Sequence, residues 1–250
     1  MKSVVLSMVV FALLLNAGRA SVASESADVG ARVAVQNALF EEWYQSDLTA
    51  HPERATAYGD YRYNDRLDGR SLAALSAENA KDQDFLARIR NTRTTGFPDQ
   101  DVMSHQIMLR ALQQRIANYA FKEYEMPVSQ MDGPHRDFAD LPLAVPFESV
   151  KQYEDYIARL HQIPRAFAES EEVLRAGMRD NLMPVRFLLE KVAAQCDGVI
   201  KADPFLLPTR KFPPGISPED QQRLTRAITD TVTNEVLPAY KAFGVFIATE

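Results

Sequence analysis

Cysteine is nearly absent from these 250 residues: Cys196 stands alone, which excludes an internal disulfide. It falls on an apolar helical stripe with Val185, Leu188, Leu189 and Val192, the setting of a buried inert thiol rather than a nucleophile. The fold must therefore rest on packing. Histidine is also scarce, with His51, His105, His135 and His161 the full set. None is followed by glutamate and no two stand four residues apart, so the zinc-binding helix of a zincin is missing. There is no Gly-x-Ser-x-Gly elbow, no phosphate loop and no Gly-x-Gly-x-x-Gly turn. The carboxylates of Glu41, Glu42, Glu169, Glu171 and Glu172 lie on polar helix faces and read as solvated acids. Runs of alternating β-branched residues are wanting as well, and the fold class read from this is all-α.

Long apolar runs are limited to one. Met1-Lys2-Ser3 precedes an apolar stretch from Val4 to Leu15 broken only by Ser7, and small residues follow before the first acid, Glu25. This is the tripartite layout of a secretory signal peptide. A run of about a dozen is short for a membrane span. Cleavage is expected after Ala23, before Ser24, with Ala20 as the alternative. No cysteine follows the run, so a lipoprotein anchor is not expected. The reading is an exported protein, periplasmic or secreted, with no membrane attachment after signal removal.

A basic surplus is lacking too. Taking Lys2 and Arg19 from 28 basic residues leaves 26 against 34 acids, a net charge of −8 for the mature chain. That balance argues against a nucleic-acid groove or an anionic membrane surface as partner. Residues 24–32 read as a disordered linker and 33–250 as one helical region, long enough to bury a sizeable core.

Helical periodicity organises the rest. Val33, Asn37, Phe40, Trp43, Tyr44 and Leu48 predict a first helix ending before His51-Pro52, since proline disfavours a helical residue ahead of it. Ser71 caps a second helix striped by Leu72, Leu75, Phe85, Leu86 and Ile89. Pro98, Asp99 and Asp101 open a third of about six turns. From Glu125 to Pro146 the periodicity stops and an irregular excursion is expected. Pro146, Pro164 and Pro184 then each open a helix. A second extended loop spans 203–215. Ser217-Pro218-Glu219-Asp220 caps a last helix that Pro238 should kink. About seven helices and two long ordered loops result.

The segment from Ala55 to Gly69 places Tyr58, Tyr61 and Tyr63 among Arg62 and Arg66, between turn-forming Gly59, Asp60, Asn64, Asp65, Asp68 and Gly69. Two readings stand side by side. The rings staple the loop to the helices, or the loop is a cleft wall presenting phenols and guanidiniums to a polar ligand. On the second reading the ligand-facing residues are Tyr61, Arg62, Tyr63 and Arg66, joined by Gln130 and His135 of the irregular excursion. No residue qualifies as catalytic or metal-binding.

The order of short segments carries a resemblance. Ala55-Thr56-Ala57-Tyr58-Gly59-Asp60 leads to Asn64-Asp65-Arg66-Leu67-Asp68, then to Ser129-Gln130-Met131-Asp132-Gly133-Pro134. Tyr153-x-x-Tyr156-x-x-Arg159-Leu160-x-x-x-Pro164 follows, then Leu174-Arg175-x-Gly177, Pro184, Val192-x-x-Gln195, Pro204-Phe205 and Val236-Leu237-Pro238-Ala239-Tyr240. The series resembles the N-terminal part of exported bacterial proteins grouped as domain of unknown function family 885.

The resemblance implies a helical, cleft-forming fold of about twice this length and zinc-metallopeptidase-like chemistry. It implies a His-Glu-x-x-Pro-Gly-His metal helix with a downstream glutamate in a C-terminal half. No position here matches those ligands. Zinc is thus implied for that half alone, no cofactor is expected in this chain, and the chain is expected to be inactive by itself as an incomplete portion of the fold. The implied partners are the C-terminal half and, in a full-length protein, a peptide substrate. The alternative is a free-standing helical periplasmic binding module. The stripe Leu224, Ile228, Val232, Val236, Tyr240, Phe243 and Phe246 runs to the end of the sequence. If the other half covers it, the isolated chain should expose an apolar patch after Pro238 and self-associate or bind a hydrophobic dye.

Overall fold

The computed structural model describes the backbone of residues 2–250 and the side chains of residues 26–250. Among these the chain is all-α, with no strand. The elements are α1 (Lys2–Ala50), α2 (Pro52–Ala57), α3 (Leu72–Arg90), α4 (Asp99–Ala120), α5 (Pro134–Ala144), α6 (Val150–Leu160), α7 (Ile163–Asp180), α8 (Arg186–Leu189), α9 (Val192–Ala202), α10 (Pro218–Thr231) and α11 (Leu237–Thr249). Counting α10, a π turn and α11 as one rod gives 8 helices longer than two turns, against the seven expected. The cleavage point expected at Ala23 and Ser24 lies outside the residues whose side chains are described. The linker expected to be disordered over 24–32 is helical from residue 26 onward, as part of α1.

The eighth helix is α5, inside the stretch expected to be irregular. Two prolines hid it. Pro134 sits in its first turn, where a missing amide costs nothing, and Pro142 falls in its last turn, where only one backbone bond is forgone. Its start depends on Gly133, whose φ of 129° is closed to side-chain-bearing residues. Caps read from the sequence hold: Ser71 Oγ accepts from the Ala74 amide at 3.1 Å and Ser217 Oγ from the Asp220 amide at 3.1 Å. The helix expected to open at Pro146 begins later, at Val150 behind Ser149. The helix expected from Pro184 is broken into α8 and α9. Pro238 produces a π turn over Val232–Val236 rather than a simple kink, which re-spaces the backbone bonds around its missing amide.

The chain divides into two compact units. The first comprises Met1–Gln45 and Lys81–Ile116. There α1, the end of α3 and α4 bury Leu39, Phe85, Leu86, Ile89, Met108 and Leu112. Buried Gln36 ties α1 to α4, donating to the Asp101 carbonyl at 3.1 Å while its Oε1 meets His105 Nδ1 at 2.9 Å.

The second unit comprises Ser46–Ala80 and Ala117–Glu250. Its core gathers Phe138, Tyr153, Tyr156, Phe167, Phe205, Tyr240 and Phe243. Phe167 stacks on Phe243 with centroids 4.6 Å apart and meets Tyr240 edge-on at 4.9 Å. Buried phenols are satisfied, Tyr240 donating to the His135 carbonyl at 2.9 Å and Tyr156 to the Phe205 carbonyl at 3.0 Å. The C-terminal stripe is corrected here. Leu224, Ile228, Val236, Tyr240 and Phe243 are all fully buried and Phe246 nearly so, within this unit. The apolar patch expected after Pro238 is therefore covered by the chain's own α7 and α9, which pack on α11.

Candidate functional site

In the second unit, Arg159 of α6 organises the segment from Pro52 to Gly69. It is fully buried. Its Nε donates to the Arg66 carbonyl at 2.8 Å, and its Nη2 to the Pro52 carbonyl at 3.1 Å and to Thr56 Oγ1 at 2.6 Å. Thr56 in turn donates to Asn64 Oδ1 at 2.7 Å. One guanidinium thus fastens both ends of the loop, serving the Arg66 carbonyl and sharing the Pro52 carbonyl with Thr56 Oγ1. Its Nη1 is buried with no protein partner.

Around it lies a cavity of about 330 Å³ whose lining includes Glu53, Thr56, Asp68, Arg70, Asp137 and Arg159. Arg70 spans the acids, donating from Nη2 to Asp137 at 3.0 Å and to Glu53 at 3.4 Å. Its guanidinium rests on the Phe138 ring, 5.1 Å from the centroid. Glu53 and Asp68 are locked reciprocally. The Glu53 amide donates to Asp68 Oδ1 at 3.0 Å, and the Asp68 amide to Glu53 Oε2 at 3.1 Å. Burial pushes the carboxyls of Glu53 and Asp137 above the usual carboxylate range despite the Arg70 charge. For Glu53, neighbouring Asp68 adds to that rise. Exposed Asp140 also lines this cavity. The lining is acidic overall, and it includes Arg159, whose Nη1 is buried without a protein partner.

A second cavity of about 220 Å³ shares Asp68 and Arg70 with the first and reaches His51, Glu78, Tyr124 and Ser170. His51 Nδ1 lies 3.3 Å from Asp68 Oδ2. Its Nε2 lies 3.0 Å from Glu78 Oε1 and 3.7 Å from Asp47 Oδ1. Asp47 Oδ2 accepts from Arg54 at 2.6 Å. Burial opposes the charged ring, but the bonds to Asp68 and Glu78 prevail and raise His51 to about 9.

The residues named from the sequence as ligand-facing do not assemble into this site. Arg62 turns back onto Asp60. The Tyr63 ring lies between Arg62 and Arg66, whose guanidinium carbons are 5.2 and 4.8 Å from its centroid. The Tyr63 hydroxyl accepts from Thr49 at 3.1 Å. Arg66 lies 3.5 Å from Asp65, and Tyr61 is half exposed. The Gln130 carbonyl accepts from Gln195 at 2.9 Å. His135 is fully buried, its Nε2 3.2 Å from Gln195 Oε1, which makes it a core residue rather than a ligand-facing one. The residues that do converge, His51, Glu53, Asp68, Arg70, Asp137 and Arg159, were missed as a site. His51, Asp68 and Arg159 stood inside the motif order or at a helix end, but only tertiary packing joins them.

The family described as "Bacterial protein of unknown function (DUF885)" matches residues 52–250. The chain belongs to that family. No curated protein matches it. Among solved structures it is similar to a crystal structure described as "the putative lipoprotein from Colwellia psychrerythraea". The TM-score is 0.73 at 17% identity, over 87% of this chain and 41% of that one. The chain therefore spans about two fifths of the length of that neighbour. At this identity the likeness establishes the helical fold. The zinc that the family resemblance implied has no counterpart motif here: none of the four histidines belongs to a His-Glu-x-x-Pro-Gly-His helix.

Proposed function

We propose that this family member is the helical N-terminal scaffold of an exported, metallopeptidase-like protein, and that its second unit supplies a polar wall of the substrate cleft. The reading is supported by the resemblance described above and by the signal-like leader. It is carried by one observation: buried Arg159, with Nη1 unpartnered, lines an acid-rich cavity of about 330 Å³. A peptide offers both complements, carbonyl or carboxylate oxygens for the guanidinium and amide or ammonium donors for Glu53, Asp137 and Asp140. A metal-activated water needs ligands and a general base. This sequence carries neither in the family's pattern, so the scaffold binds without hydrolysing.

The test uses tag-free residues 24–250 with trialanine as the probe. Saturable binding by calorimetry, no hydrolysis, and loss of binding in Ala144→Trp with an unchanged melting temperature are expected, since Ala144 is an exposed lining residue. Absence of binding by the unmodified chain would overturn the cleft-wall reading. A second reading, a free-standing periplasmic binding module, draws on the fact that every lining residue belongs to the second unit. The DNA after codon 250 separates the two. An in-frame metal helix favours the scaffold, and a stop codon favours the module.

A further inference from the structure

We propose that Asp47, His51 and Glu78 form a site for one divalent transition-metal ion of the zinc class. The local sequence builds it. Asp47 lies in the last turn of α1, and His51 follows at the junction that Pro52 forces out of helical geometry, with φ −121° and ψ 70°. Glu78 projects from α3 toward the same point. One oxygen of Asp47, one of Glu78 and a ring nitrogen of His51 all lie within 4.8 Å of one another. Ligands about 2.0–2.2 Å from a tetrahedral zinc stand roughly 3.3–3.5 Å apart. The two edges from His51 Nε2, 3.0 and 3.7 Å, bracket that spacing.

The far side of the ring carries an independent sign. Asp68 Oδ2 faces His51 Nδ1 at 3.3 Å, while Asp68 Oδ1 is pinned by the Glu53 amide. A fixed carboxylate on Nδ1 is the arrangement that orients a metal-binding imidazole and directs the Nε2 lone pair at the ion. Three carboxylates (Asp47, Asp68, Glu78) lie against the His51 ring, so its immediate surroundings are acidic. The cavity of about 220 Å³ beside His51 and Glu78 leaves room for a water as fourth ligand.

Calorimetric titration of the chelator-treated, tag-free residues 24–250 with zinc chloride tests this, with magnesium chloride as control. One zinc per chain is expected and no magnesium, because an imidazole donor selects the later transition metals. Cobalt(II) should give the visible bands of a four-coordinate site. Glu78→Gln, on a partly exposed α3 position, and His51→Gln should each weaken zinc by 100-fold or more, with circular dichroism checking the fold. Asp68→Asn should weaken it by about 10–100-fold through loss of ring orientation. His161→Gln should leave it unchanged, since His161 pairs with Glu235 elsewhere on the surface. Should His51→Gln not fold, Glu78→Gln decides by itself. Failure of the unmodified chain to bind zinc, or equal affinity in folded Glu78→Gln, would overturn the assignment. Trialanine binding in Ala144→Trp reports on the other cavity, so either proposal can fail without the other.

Discussion

Arg159 Nη2 and Thr56 Oγ1 meet at 2.6 Å across 103 residues of sequence, with both side chains buried. This contact closes the loop from Pro52 to Gly69 over α6 and places Glu53, Asp68 and Arg70 around one cavity. Arg159→Met should therefore cost about 2–3 kcal/mol, because the Arg66 carbonyl loses its side-chain donor while the Pro52 carbonyl keeps Thr56 Oγ1. Urea denaturation should show a lower midpoint with unchanged slope. A loss under about 1 kcal/mol would mean water replaces the guanidinium freely.

Gly177 of α7 has no room for a methyl group. A Cβ there would stand 2.6 Å from the Glu125 carbonyl oxygen and 2.7 Å from that of Leu182, both backbone atoms. Gly177→Ala should destabilise the protein by about 1–3 kcal/mol through overpacking. Its thermal melt should fall several degrees, whereas Gly198→Ala, whose Cβ meets nothing within 4 Å, should melt no lower.

The surface pair Arg62 and Tyr63 should matter little to the fold. Arg62 is more than half exposed and pairs with Asp60, two residues away. Exposed pairs contribute about 0–1 kcal/mol. The double substitution Arg62→Ala with Tyr63→Ala should shift the denaturation midpoint by an amount equivalent to about 1 kcal/mol or less. It should also leave trialanine binding intact, since neither residue lines the Arg159 cavity. Loss of binding in the folded double variant would restore these residues to the site.

Acid should loosen the core at His135. Burial holds this imidazole below its ordinary value near 6.5, against the opposing bond to Gln195. The unfolded chain then binds the proton more readily than the folded one, so stability is present above pH 6.5 and falls as pH drops below it. The slope for one such group is about 1.4 kcal/mol per pH unit while the folded ring stays neutral. In melts, on going from pH 7.5 to 5.5 the unmodified chain should lose more stability, or gain less, than His135→Asn, a comparison in which the opposite contribution of His51 cancels. Identical pH slopes for the two proteins would refute the assignment.

Cys196 should resist modification. The thiol is buried beside Gly244, and burial pushes it up to about 12. A disulfide reagent should titrate about no thiol in the native chain and one per chain in denaturant.

The amphipathic stripes of α3, α4, α7 and α10 were legible because a helix with one apolar face writes its period into the sequence. Ser71 and Ser217 were legible because a cap is a local bond between residues three apart. Helix α5 was not, since Pro134 and Pro142 mimic loop punctuation unless their places in the first and last turns are known. The Tyr/Arg loop was legible, but which of its two roles it plays was not: Tyr63 lies between Arg62 and Arg66, while the cavity is lined by groups from other positions.

Composition and periodicity by themselves determined an all-α chain without disulfides, and the order of short motifs pointed to its family, because these properties depend on neighbours within a few turns or on residue counts. Tertiary structure alone decided that the C-terminal stripe is covered, its α10 part by α6 and its α11 part by α7 and α9. It alone brought Asp47, His51, Asp68 and Glu78 around one ring and set Arg159 beneath the loop that begins at Pro52. Such gatherings join residues up to 107 positions apart. Their partners are chosen by packing and by the need to satisfy every buried polar group, which no local pattern encodes.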